Sequence, residues 1–184
     1  MSEKQKMLAG LPYYPFDAEL SRDRKQARQI FRQYNASLET DWDLRLALLR
    51  QLFGRCGENP IVEPDFRCDY GFNIEVGDNF YANFGCVILD CGKVSIGNQV
   101  LLGPGVHIYA VNHPLEPGAR AQGVEFALPV TIGNNVWLGG RAVINPGVTI
   151  GDNTVIASGS VVTKDIPANV LAAGVPCRVI KQIG

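Results

Sequence analysis

An aliphatic residue recurs every six positions through the C-terminal part of this chain. Ile132, Leu138, Ile144, Ile150, Ile156 and Val162 are each six apart, and each is followed by a mostly small or turn-forming residue: Gly133, Gly139, Asn145, Gly151, Ala157 and Thr163. An earlier run gives Ile96, Leu102 and Ile108. A weaker one gives Val76, Ala82 and Ile88, with two extra residues between Ile88 and Ile96. Six residues are not near a whole number of 3.6-residue turns, so no helix keeps this set on one face. A hairpin meander needs turn signals about every 8–12 residues. A solenoid explains the period directly: each hexapeptide makes one short strand and one turn, the aliphatic points inward, and the small residue lets the chain bend. Three such sides close a triangular coil of 18 residues, three sixes, and stacked coils pair their strands in parallel. The period says nothing about handedness. Parallel crossovers are normally right-handed.

The repeat does not reach the N-terminus. Residues 1–58 hold 18 of the 35 acidic and basic residues but three of the 20 glycines, and the composition changes near Gly57–Pro60. In this N-terminal segment Leu20, Ala27, Ile30, Phe31 and Tyr34 fall at helical spacing, with Ser21 as the expected N-cap. A second run from Trp42 to Phe53 carries Leu44, Ala47, Leu48, Leu49 and Leu52. Two short amphipathic helices cannot bury themselves alone, so they are expected to pack on residues 59–184. Their positive charges read as a solvated face.

Net charge is −1, which gives no sign of a nucleic-acid or anionic-membrane partner. No apolar stretch approaches bilayer-spanning length, and MSEKQKMLAG lacks the apolar core of a signal peptide. These features favour a cytoplasmic protein. The five cysteines are odd in number and form no C-x-x-C pair, so they read as small buried hydrophobes and not as a disulfide frame or a zinc site.

Between Ile108 and Ile132, four periods apart, the repeat is lost. The segment 109–131 contains Asn112, His113, Pro114, Pro117 and Pro129, and reads as an excursion from the coil. Long loops on rigid scaffolds often carry function. Of the two histidines, His107 precedes a core position and reads as structural, on the outer strand surface. His113 lies in the excursion, where its chemistry suits a general base near neutral pH. Histidine position alone leaves an ordinary surface residue as the more common alternative.

The stretches IGNNVWLGG (132–140), NPGVTIGD (145–152) and GVPCR (174–178) resemble the hexapeptide-repeat acetyltransferases, and most closely the maltose and galactoside O-acetyltransferases. The resemblance covers nearly the whole chain, including LSRDR (20–24). FRCDYG (66–71) and VHIY (106–109) lean towards the maltose branch. It implies a left-handed parallel β-helix, a homotrimer and acetyl-CoA as donor, with no metal required. Residue by residue, it implies His113 as the catalytic base and Asn83, in YANF, at the reacting centre as an amide donor. Asp69, Asp90 and Glu125 match acceptor-binding positions, and carboxylates can accept hydrogen bonds from sugar hydroxyls. Asp69 stands where the galactoside branch has serine and Glu125 where it has methionine, which argues for an acceptor other than a simple galactoside. One further acceptor position aligns with Pro15, which offers no polar contact; Asp17 follows two residues later. For CoA, Gly140, Ser158, Thr163, Lys164, Arg178 and Lys181 match. The small residues leave room for a pantetheine arm and the cations suit phosphates. Lys181 replaces an arginine of the galactoside branch. Trp137, just before Leu138, faces outward and is a further candidate for a ligand or subunit contact.

Other functions use the same scaffold. A zinc-dependent carbonic anhydrase needs three histidine ligands, and the chain has two histidines. An ice-binding solenoid needs a regular threonine face, whereas the outward positions Trp137, Val143, Thr149, Val155 and Val161 form no such ladder.

Overall fold

The structure, a computed structural model, describes residues 1–183. Its core is a three-faced parallel β-solenoid. The first face stacks Arg55–Cys56, Ile74–Val76, Val94–Ile96, Val130–Ile132 and Thr149–Ile150. The second stacks Ile61–Val62, Tyr81–Ala82, Leu101–Leu102, Trp137–Leu138 and Val155–Ile156. It ends on Val170–Gly174 and the antiparallel strand Cys177–Gln182. The third stacks Arg67–Cys68, Val87–Leu89, His107–Tyr109, Val143–Ile144 and Val161–Val162.

The inward positions are the predicted ones. Val76, Ala82, Ile88, Ile108, Leu138, Ile144, Ile150, Ile156 and Val162 have no exposed surface, so the weaker run is as much core as the stronger. The helix begins earlier than those runs, with the rung Cys56, Val62 and Cys68. Coil length differs from the uniform 18. Register pairs such as Val62 with Ala82 and Ile88 with Ile108 step by 20 residues, and later pairs such as Ile132 with Ile150 step by 18. The two extra residues fall at the corner between the third and first faces: Cys68 and Val76, like Ile88 and Ile96, are eight apart.

The corner between the first and second faces explains its own sequence. Asn79, Asn135 and Asn153 adopt φ of 55–57° there, a left-handed conformation that asparagine tolerates better than most residues. Their side chains form a ladder, with Asn135 donating to Asn153 at 3.1 Å and Asn153 to Asn169 at 2.9 Å. At Gly133 an added Cβ would come within 2.8 Å of the Asp152 backbone nitrogen, so the rungs stack too closely there for a side chain.

Three helices precede the solenoid: α1 (Glu3–Leu8), α2 (Ala18–Ala36) and α3 (Trp42–Leu52). The N-cap of α2 is Asp17, whose Oδ1 accepts from the N–H groups of Glu19 and Leu20 at 2.9 and 3.3 Å. Ser21, the expected cap, lies inside the helix. In α3, Leu44 and Ala47 are exposed, while Leu48, Leu49 and Leu52 are buried with Arg45. Ala27, Ile30, Phe31, Tyr34, Leu48, Leu49 and Leu52 join one hydrophobic cluster with the first coils. The two helices therefore close the open end of the solenoid.

The excursion is a structured arm. After Tyr109, the strands Val111–Asn112 and Phe126–Ala127 pair antiparallel, with the short helix α4 (Pro117–Ala121) between them. The solenoid resumes at Val130.

Candidate active site

Everything on the arm roots at the corner between the third and first faces. That corner carries Asp69, Asp90 and Cys91 on successive coils, then the arm with His113 and Glu125. The two-residue lengthening of the early coils is the sequence mark of this corner.

Glu125 is fixed by the N-terminal segment. Tyr13 and Glu125 form a two-way backbone bridge, N–H to O at 2.9 and 3.0 Å, and the Tyr13 hydroxyl donates to Glu125 Oε2 at 2.7 Å. The other oxygen, Oε1, lies 3.9 Å from His113 Nε2. The His113 side chain is 54% exposed, so the ring reaches beyond the arm. Tyr13 is buried, and burial drives its hydroxyl's ionisation far above the usual tyrosine range, which keeps it a donor.

Asp69 is half-buried beside Cys91, whose thiol donates to Oδ2 at 3.5 Å. Burial raises the Asp69 carboxyl above the usual range and the nearby Glu125 adds to this; Cys91, Arg24 and Arg28 oppose it. Arg24 reaches the same corner, donating to the Tyr70 hydroxyl at 2.7 Å.

Asp90 departs from its expected acceptor role. It has no exposed surface. Its Oδ1 accepts from the N–H groups of Asp69 and Tyr70 at 3.0 and 2.9 Å, and Oδ2 from Asn73 at 3.3 Å. With its oxygens bound by main chain, Asp90 shapes the corner that presents Asp69 and offers no free acceptor to a sugar. Pro15 is buried, and the Asp17 carboxylate is engaged as the α2 cap. Tyr13, Tyr70, Cys91 and Arg24 also stand around this corner, and sequence reasoning did not single them out. For Tyr70 and Cys91 the usable signal was the extended corner, two residues longer than a hexapeptide side.

Asn83 stands elsewhere, on the corner between the second and third faces. Its Oδ1 accepts from the Phe84 N–H at 2.7 Å, which leaves Nδ2 as the side chain's donor. The same corner carries Gly140 and Ser158 on later coils. Rung by rung it is joined through Asn83 to Leu102, Gly103 to Leu138 and Gly139 to Ile156. Gly103, Gly139, Gly140 and Ser158 stack closely along this corner, where an added Cβ at Gly103 would meet the Gly140 backbone at 2.5 Å. Thr163 and Lys164 follow the third face and so belong to the His113 corner. Trp137, 53% exposed, stands on the second face between Leu101 and Val155. Arg178 and Lys181 lie on the last strand of that face, opposite Ala173 and Leu171. Within one chain, His113, Asp69, Asp90, Glu125, Thr163 and Lys164 therefore lie at one corner and Asn83, Gly140 and Ser158 at another, with Trp137, Arg178 and Lys181 on the second face. His107 Nδ1 lies 2.7 Å from the Tyr109 hydroxyl, a local contact on the third face.

Among the described residues no cluster of metal-ligating side chains occurs, and no helix is long and apolar enough to cross a membrane.

Residues 6–57 match the maltose acetyltransferase hexapeptide capping motif, and residues 129–164 match the six-repeat bacterial transferase hexapeptide. The galactoside O-acetyltransferase of Escherichia coli is 45% identical over 183 residues, covering 100% of this chain and 90% of that protein. A putative acetyltransferase of Saccharomyces cerevisiae is 51% identical over 168 residues, 91% of this chain and 86% of its own length. The crystal structure of a maltose O-acetyltransferase from Clostridium difficile superposes with a TM-score of 0.99 at 51% identity, covering 100% of this chain and 98% of that one. A galactoside acetyltransferase in complex with coenzyme A superposes with a TM-score of 0.96 at 44% identity, covering 100% and 92%. The chain is an acyltransferase with acetyl-CoA as donor, and it belongs to the maltose and galactoside O-acetyltransferase family of hexapeptide-repeat enzymes.

Proposed function

We propose that the protein transfers the acetyl group of acetyl-CoA to a hydroxyl of maltose, glucose or a related sugar, in a ternary complex with His113 as general base. The observation that carries this reading is the His113 imidazole projecting from the arm above a corner lined with the Asp69 and Glu125 carboxylates. A sugar hydroxyl is a poor nucleophile until a base takes its proton. His113 takes that proton, the oxygen attacks the thioester carbonyl, and a tetrahedral oxyanion forms. Its collapse breaks the carbon–sulfur bond, and the imidazolium returns the proton to the departing thiolate. The Asn83 amide is suited to donate to the oxyanion.

Asn83 and His113 stand on different corners, so a complete site needs Asn83, Gly140 and Ser158 of one copy beside His113, Asp69 and Lys164 of another. The outward side chains support such an assembly. The first face presents Arg55, Glu75, Ser95, Thr131 and Thr149, a polar surface. The second presents Ile61, Tyr81, Leu101, Trp137 and Val155, and the third Arg67, Val87, His107, Val143 and Val161. Two different faces, the second apolar and the third apolar at Val87, Val143 and Val161, suit a heterologous contact that closes into a ring, here a homotrimer.

The test is a carbohydrate panel with acetyl-CoA, read by free-thiol release. Maltose and glucose should release thiol faster than galactosides. His113→Ala should lose about 10²–10⁴ in turnover while keeping its assembly state. Near-native turnover in that variant would remove His113 from the role.

A further inference from the structure

The sequence assigned the positive charges of the helical segment to solvent, but their arrangement in the fold is more particular. Arg24, Arg28 and Arg32 repeat at i, i+4 and i+8 along α2, so they lie in a row on one face. Like charges at this spacing destabilise a helix, and no carboxylate of α2 offsets them. Its two acidic residues, Glu19 and Asp23, lie 3.8 and 2.8 Å from Lys4 of α1. Arg67 approaches from the solenoid. With Arg28 and Arg32 it lines a groove of about 590 Å³ between α2 and the third face. Among the described residues no carboxylate lies within ion-pair distance of any of these four arginines, although Asp65 lines the same groove. The groove reaches Cys68, next to Asp69, and Arg24 and Arg28 are near enough to lower the Asp69 carboxyl against its burial.

We propose that this groove is a subsite for an anionic extension of the acceptor: a carboxylate, phosphate or sulfate on the group attached to the sugar that lies at Asp69. Arginine guanidinium groups bind such planar or tetrahedral oxyanions through paired hydrogen bonds. Three of them on two elements give a converging charge that a neutral acceptor leaves unused. The proposal rests on the reading of His113 and Asp69 as the acceptor site, and it adds the class of acceptor the enzyme prefers.

The experiment compares phenyl α-glucoside with 4-carboxyphenyl α-glucoside, in the native protein and in the combined variant Arg28→Gln, Arg32→Gln, Arg67→Gln, with maltose as the neutral reference. The native enzyme should show a KM about tenfold lower for the carboxylated glucoside, the effect of one charge-assisted hydrogen-bonded contact. That advantage should shrink in about 0.5 M salt and vanish in the variant, with kcat on maltose unchanged. Equal KM values in the native enzyme, or a preference that survives in the variant, overturn the proposal. Pairing of these arginines with acidic residues of a second copy would give the first of those results. If none of these sugars is acetylated, the sugar reading itself fails. Calorimetry with inorganic phosphate then judges the groove: binding by the native protein that the variant lacks upholds it, and no difference between the two overturns it.

Discussion

Glu125 Oε2 takes the Tyr13 hydroxyl at 2.7 Å while Oε1 faces His113, so one carboxylate links the N-terminal segment to the proposed base. Tyr13→Phe removes that link and leaves the ring's packing. Turnover should fall about tenfold, as expected for freeing a charge-bound group near the reacting atoms, with KM for acetyl-CoA unchanged. Steady-state kinetics in both substrates checks this, and a rise confined to the donor KM would contradict it. Asp90 makes a prediction of another kind. Burial pushes its carboxyl from 3.8 up to about 7, against the pull of three main-chain N–H groups. Between those values the folded chain holds a proton that the unfolded chain has lost. The group's stabilising contribution is therefore complete below about pH 4 and is lost as pH rises through 7, by up to about 4 kcal/mol. Asp90→Asn should flatten the fall, seen as a native-minus-variant difference in urea midpoint that changes between pH 5 and 8. A constant difference would show that Asp90 does not titrate there. Motif likeness singled out Asp69, His113, Glu125 and Asp90 alike, and could not separate Asp90, whose oxygens are taken by main-chain N–H groups, from carboxylates at the proposed site. Tyr13 carried no motif at all, because its role comes from a pairing 112 positions away.

At the scale of elements, the six-residue period was legible because most inward positions are aliphatic and most of the residues that follow them are small or turn-forming. Coil length was less so. The extra pair between Ile88 and Ile96 was visible as a break in phase, but only the register of paired strands shows that it recurs at one corner and roots the arm there. Handedness is not contained in a period. For α2 the spacing of buried residues gave the face but not the start, since one helical stripe continues through Leu20 whichever residue caps it. Asp17, the actual cap, satisfies two N–H groups that are otherwise unpaired. Asp17→Ala should cost about 1 kcal/mol of stability, measured by chemical denaturation. Turnover at saturating substrates should stay near native, because the carboxylate is occupied by the helix. A large loss of kcat without a change in stability would instead put Asp17 in the acceptor site.

For the molecule as a whole, the division of the site between two corners leads to a prediction that one chain cannot satisfy. Asn83 is set by its own backbone on the corner between the second and third faces. His113 is held with Glu125 and Tyr13 over the next corner. No hinge motion of the arm is needed if a second copy brings its Asn83 corner to the first copy's His113 corner, and the apolar positions of the second and third faces are the surfaces that such contact would cover. Two variants, His113→Ala and Asn83→Ala, should each be trimeric and nearly inactive. Unfolded together in equal amounts, refolded and isolated as mixed trimers, they should regain about a third of native turnover, because each mixed ring has one interface in three that holds both intact residues. Differently tagged variants, purified through both tags, establish that the trimers are mixed. Mixed trimers without recovered activity would mean that both residues serve one chain's site. Full activity in a separated native monomer would mean that no second copy is required. Recovery near a third would fix the His113 and Asn83 roles together, because neither variant alone holds a complete site.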